Sequence, residues 1–142
     1  MEKRSLAEFA CHKLVLRAAE YIDNQDYVAF AALFTPNGEL LRPGAELLIG
    51  REAIVTAYRT RPADRITRHM ITNIRVELVT PTHATARSLV LMWSGQNNDL
   101  ITYFGRLAHP RQVIGEFCDQ LMLEGSEWLF SRRNANFVLY RD

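Results

Sequence analysis

Cysteine is scarce in this chain, charge of one sign is not in excess, and long apolar runs are missing. The two thiols, Cys11 and Cys118, fall in a helical and an extended segment without metal-ligand spacing. They read as small apolar residues rather than as a disulfide or metal framework. Seventeen Lys and Arg face sixteen Asp and Glu, a formal net charge of +1, with the signs interspersed. That removes the electrostatic footprint of a nucleic-acid binder or of a protein drawn to an anionic membrane. No apolar run approaches a membrane span. Glu2 to Ser5 is polar, and the apolar positions after it are interrupted by Glu8, His12, Lys13 and Arg17, unlike a signal peptide. A cytoplasmic, reduced protein is the expectation. Internal repeats and low-complexity segments are also absent. The 142 residues therefore predict a single domain over 1–142, large enough to bury about two thirds of its unfolded surface.

Helical periodicity dominates the first part. Ser5-Leu6-Ala7-Glu8 has capping-box spacing, and Leu6, Phe9, Ala10, Leu14, Ala18 and Tyr21 recur at three- and four-residue steps. Together they predict a helix from about Ser5 to Ile22 with one apolar stripe. Asp23-Asn24-Gln25-Asp26 breaks that pattern. Asp26 suits the N-cap of a second, shorter helix with Tyr27, Phe30, Ala31 and Phe34 on one face, ended by Thr35-Pro36-Asn37-Gly38. Residues 39–49 read as a short hairpin around Pro43-Gly44, and a third helix is expected from Arg51 to about Arg59, with Ile54, Ala57 and Tyr58 inward.

Beyond Pro62 the period becomes extended. Five runs rich in β-branched and aromatic residues, 67–79, 83–93, 100–108, 113–123 and 127–140, predict an antiparallel meander. Three helices followed by a long twisted sheet define a segregated α+β architecture. Strands that bend around helices leave a cone with an open mouth, the kind of concavity that takes small ligands.

Two residues are placed to meet in that hollow. Asp23 closes the first helix, and His69 lies in the strand opening Thr67-Arg68-His69-Met70. A carboxylate can fix the tautomer of an imidazole, whose unperturbed pKa is the one nearest neutrality, giving an acid/base pair. Each also has a structural reading: Asp23 as a cap of the following turn, His69 as a buried ring bonded to a carbonyl or an aspartate. Strand alternation puts Asp119 on the apolar side with Phe117, Leu121 and Leu123, so it needs a cationic partner, with Arg42, Arg106 and Arg132 as candidates. Tyr21, Tyr58, Met70, Met92 and Trp93 suit either a pocket for an aromatic substrate or the core. Asn73 and Ser94 have no activating base, and His12, His83 and His109 form no ligand pattern with His69; no metal and no cofactor are expected. One side of the 83–93 strand carries Arg87, Leu89, Leu91 and Trp93, and this patch predicts self-association through the sheet.

Several segments carry a family likeness: 21–27 (Tyr-Ile-Asp-Asn-Gln-Asp-Tyr), 32–40 (Ala-Leu-Phe-Thr-Pro-Asn-Gly-Glu-Leu), 50–54 (Gly-Arg-Glu-Ala-Ile), 68–76 (Arg-His-Met-Ile-Thr-Asn-Ile-Arg-Val) and 127–130 (Glu-Trp-Leu-Phe). In order and spacing they resemble the nuclear transport factor 2-like (NTF2-like) superfamily, in its SnoaL-like branch with scytalone dehydratase and the small subunits of ring-hydroxylating dioxygenases. The resemblance implies a cone-shaped fold with three N-terminal helices on a strongly curved antiparallel sheet. It aligns Asp23 and His69 with the catalytic aspartate and first histidine of scytalone dehydratase. Ser94 falls where the second histidine would stand, Ile22 replaces a tyrosine, and Gly115 and Phe117 replace polar residues of a later strand. Tyr21, Tyr58, Ser94, Phe117 and Asp119 are the substrate-binding candidates. Two functions follow. One is a cofactor-independent dehydratase or isomerase acting on a small cyclic or aromatic, polyketide-like compound. The other is a noncatalytic small-molecule-binding domain or oxygenase scaffold subunit. Relatives of this kind form dimers or trimers.

Overall fold

A first helix with a deep apolar stripe governs how the rest is laid down. In the computed structural model, which describes residues 2–142, α1 spans Lys3–Asp23 and buries Cys11, Leu14, Val15, Ala18 and Ile22. The expected stripe is thus displaced toward the C-terminal half: Leu6 and Phe9 are exposed, while Ala10 and Tyr21 only flank the core. The Ser5–Glu8 capping box does not form. The helix starts behind Glu2, with no side-chain cap, so Ser5 already lies inside the first turn and Glu8 instead takes Arg4 at 3.1 Å. Burial, with Glu8 nearby, pushes the Cys11 thiol up to about 11, consistent with an inert packing residue.

The end of α1 is a tight left-handed stop. Gln25 has φ +58°, Asp26 N–H donates to Tyr21 O and Gln25 N–H to Ile22 O, the pair of bonds that closes a Schellman motif. Helix α2 (Tyr27–Ala32) follows, capped as expected by Asp26, whose side chain accepts from Ala29 N–H. Phe34 opens strand β1 (Phe34–Leu41) rather than closing the helix. The turn expected at 35–38 lies inside this strand as a bulge. Phe34 pairs with Phe130 and Glu39 already with Arg132, so the residues between them loop out of register. Gly38 is required there, since a Cβ would stand 2.9 Å from that of Phe34.

The hairpin to β2 (Leu48–Ile49) and α3 (Arg51–Tyr58) match expectation. Four long strands complete the sheet: β3 (Arg65–Thr80), β4 (His83–Gln96), β5 (Gln112–Glu124) and β6 (Glu127–Arg141), in the order β2-β1-β6-β5-β4-β3. The α+β fold is as expected, but the sheet is mixed, because β1 joins β6 in parallel. It curves without closing. Segment 100–108 is not a strand; it holds one isolated bridge, Thr102 to Gly105. Both edges of β4 are already taken by β3 and β5, so the chain between β4 and β5 runs as an irregular connection, and Leu100, Tyr103, Phe104 and Leu107 project into solvent.

Alternation on β4 sends Ala84, Ala86, Ser88 and Val90 inward and leaves Arg87 and Trp93 exposed on the outer face, with Leu89 and Leu91 half-buried. Small inner residues let the helices approach the sheet. The core is aromatic: Phe34 stands 5.3 Å from Phe30 and 5.2 Å from Phe130, ring centre to ring centre. No helix among the described residues is long and apolar enough to cross a membrane. Phe34→Ala should lower the urea-unfolding free energy by about 3–5 kcal/mol, since it empties the joint between α2, β1 and β6; a loss below about 1 kcal/mol would contradict this packing.

Candidate active site

The Schellman stop presents Asp23 sideways to the start of β3, and Gln25 holds it there. The Gln25 side-chain amide donates to Ala63 O at 3.1 Å and Arg65 O at 2.9 Å. Alternation along β3 then puts Thr67 and His69 on one face, toward the helix. Asp23 Oδ1 accepts from Thr67 Oγ1 at 2.9 Å, Asp23 Oδ2 from His69 N–H at 2.9 Å, and Asp23 Oδ1 meets His69 Nδ1 at 2.6 Å. Burial pushes the Asp23 carboxyl up. The hydrogen bonds from the His69 ring and amide, the His69 charge and the Thr67 hydroxyl outweigh it and hold the group below its ordinary 3.8. An ionised carboxylate only accepts, so Nδ1 must be the donor and a neutral ring carries its lone pair on Nε2.

His69 forms part of the wall of a cavity of about 340 Å³. Its apolar surface comes from Ile22, Phe30, Leu40, Val90, Met92, Val113, Phe117 and Phe137, and its polar groups are Tyr58, Arg42, Arg61, Arg65, Arg133 and Asn136. Gly115 keeps the floor open, since a Cβ there would meet Asn136 O at 3.0 Å and Val90 Cγ1 at 3.1 Å. Tyr58 and Phe117 both border the cavity. Tyr21 and Ser94 do not. Tyr21 borders a separate groove with Leu6 and Trp128, because the residue facing inward at the end of α1 is Ile22. Ser94 borders a neighbouring hollow with His109, two residues along β4 from Met92, which does reach the cavity.

Asp119 is buried and paired, but with none of the three arginines anticipated. Arg133 donates to both of its oxygens, at 2.8 and 2.9 Å, because the two residues are cross-strand partners. Arg132 points the other way, to Glu39 at 3.0 Å. The Arg133 guanidinium also lies 4.0 Å from the Phe117 ring and 4.5 Å from that of Phe130. Asp119 therefore acts through Arg133, which it neutralises and aims. Thr67, Gln25 and Arg133 were missed as site residues. The first was legible, standing two residues before His69 on the same strand face; the other two depend on the turn geometry and on strand register. No three metal-ligating side chains converge among the described residues.

An α+β cone whose cavity wall carries His69, its ring hydrogen-bonded to Asp23, defines the class. The SnoaL-like domain model matches residues 3–134, and the chain belongs to that family. No curated relative matches the sequence. Among solved structures, a candidate scytalone dehydratase from Novosphingobium aromaticivorans superposes with a TM-score of 0.83 at 20% identity, covering 99% of this chain and 89% of that one. A hexachlorocyclohexane dehydrochlorinase (LinA, type 2) gives 0.81 at 16% identity, covering 97% and 89%. ActVI-ORFA from Streptomyces coelicolor gives 0.73 at 19%, covering 90% and 94%. At these identities the likeness shows the shared fold.

Two measurements check the geometry. A folded-state value below the unfolded one means that Asp23 stabilises the fold fully above about pH 4, and that this contribution fades as pH falls through the folded value. The stability gap between wild type and Asp23→Asn should narrow in acid; a gap that stays constant from about pH 7 to about pH 3 would contradict the bonding. Arg133→Met should cost about 3–5 kcal/mol by stranding Asp119, and adding Asp119→Leu should recover much of it. No recovery in the double variant would mean the pair is not the source of the loss.

Proposed function

We propose that the protein is a cofactor-independent acid/base enzyme of the lyase or isomerase type, acting on a small cyclic or aromatic molecule. The observation that carries the reading is the His69 ring, fixed by Asp23 at 2.6 Å and forming part of an apolar cavity's wall. A base that is pre-oriented and already in its accepting tautomer needs no reorganisation when substrate arrives.

In the elimination form of the reaction, His69 Nε2 takes a proton from the carbon next to a carbonyl or a leaving group. The C–H electron pair becomes the new double bond, and the leaving group departs with the electrons of its own bond. Where that group is hydroxide, the imidazolium returns its proton and water is released. Asp23 stays ionised and stabilises the charged ring. The names of two structural neighbours, a dehydratase and a dehydrochlorinase, both describe eliminations, which supports this form over isomerisation. Isomerisation would use the same proton abstraction with return to another carbon.

A noncatalytic ligand-binding or scaffold role is favoured by one observation: Ser94, at the position of a second histidine, lies outside the cavity. Copurification with an iron-containing large subunit would support the scaffold reading.

The test is ultraviolet detection of the conjugated product from a panel of bicyclic β-hydroxyketones, with deuterium uptake from D2O at the α-carbon as a second readout. His69→Ala should lower kcat by about 10²–10⁴-fold, and Asp23→Asn should lower it strongly, both remaining folded. Turnover at wild-type rates in both variants would remove the pair from the mechanism.

A further inference from the structure

Every ionisable group on the cavity wall apart from His69 and Tyr58 is an arginine: Arg42, Arg61, Arg65 and Arg133. Arg133 is neutralised by Asp119. The other three have no carboxylate partner among the described residues. Counting Asp119 and Asp23, the site holds four arginines against two carboxylates, an excess of positive charge that the near-neutral chain does not impose.

The unpaired arginines come from three elements. Arg42 follows β1, Arg61 follows α3, and Arg65 opens β3. Arg42 and Arg61 both lie over the buried Tyr58 ring, at 5.1 and 4.3 Å, and both border the hollow with Arg65. Burial and the charge of Arg61 lower the pKa of Arg65, a sign of like charges crowded together. Arg42 Nε is buried and has no hydrogen-bond partner. A buried guanidinium N–H left unpaired is costly, and three cations converging on one apolar space are held apart only by packing.

From this arrangement we infer that the cavity is built for an organic acid, with Arg42 and Arg61 seating a carboxylate while the ring system lies in the apolar part against His69. Guanidinium groups match a planar carboxylate through paired hydrogen bonds. The apolar walls select a cyclic acid over an inorganic anion. Arg65 and His69 share a face of β3 four residues apart, about 13 Å along the strand, and both border the cavity of about 340 Å³ with Arg42 and Arg61, so a ring-bearing acid has guanidinium groups and the imidazole within one hollow. The inference rests on the proposed function only for what happens at His69; the acid-binding end stands by itself.

Calorimetry with 2-naphthoate and its neutral isostere 2-naphthamide tests it without needing the natural substrate. Wild type should bind the acid about tenfold or more tightly than the amide at low salt, as one charge-assisted contact supplies. Arg42→Gln and Arg61→Gln, checked for folding by circular dichroism, should each reduce the preference, and His69→Ala should keep it. Equal affinities in wild type, no binding of either probe at millimolar concentration, or a preference that survives both arginine substitutions would overturn the inference. A carboxylate preference in a protein that catalyses neither elimination nor α-deuterium exchange on cyclic ketones with or without a carboxylate would sink the enzyme reading alone; elimination from neutral ketones with no preference would sink this one alone.

Discussion

The carboxylate of Asp23 accepts three hydrogen bonds from a single strand: one from a hydroxyl, one from a backbone amide and one from an imidazole. They join the end of α1 to the beginning of β3, the sheet edge farthest from β1 and β2. This joint adds to the Gln25 bonds in setting the helix end against the strand, and it fixes the rotation of the His69 ring. The same bonds keep the carboxylate ionised, and ionisation in turn dictates which ring nitrogen holds the proton. Structure and chemistry here share one cause.

A second buried charge pair, Asp119 with Arg133, has a different job. Buried pairs contribute little net stability against apolar replacements of similar volume, so its presence points to polarity that the cavity needs. The pair brings a guanidinium to the wall beside Phe117 without adding net charge. Arg42, Arg61 and Arg65 do add charge to the same wall that His69 borders. The hollow therefore combines a proton-accepting group, guanidinium groups and apolar surface on one wall.

Much of this was legible from local pattern, and the failures share a reason. The Asp26 cap, the third helix, the inward side of β4 and the burial of Asp119 follow from spacing alone. Segment 100–108 has the residues of a strand, but pairing needs a partner edge, and both edges of the preceding β4 are taken by β3 and β5. Residues 35–38 have the residues of a turn, yet parallel pairing of β1 with β6 absorbs them as a bulge. Arg133 and Arg132 differ by one position, and only the cross-strand register, shifted between Gln120 and Leu121, decides which meets Asp119. Leu6 and Phe9 continue the helical stripe in sequence but border an open groove beside the start of β6 and stay exposed. The Asp23–His69 meeting was anticipated from element order and family likeness; the Gln25 staple that enforces it could not be, because glutamine is an uncommon occupant of a left-handed position.

The central claim is that Asp23 fixes the tautomer of His69 and leaves the Nε2 lone pair for the cavity. Long-range nitrogen–proton correlation NMR of the imidazole, at a pH where the ring is neutral, reads this directly. The account predicts a protonated Nδ1 and an unprotonated Nε2 in wild type, with that preference lost in Asp23→Asn. A neutral ring protonated at Nε2, or rapidly averaging between tautomers in the wild-type protein, would contradict it.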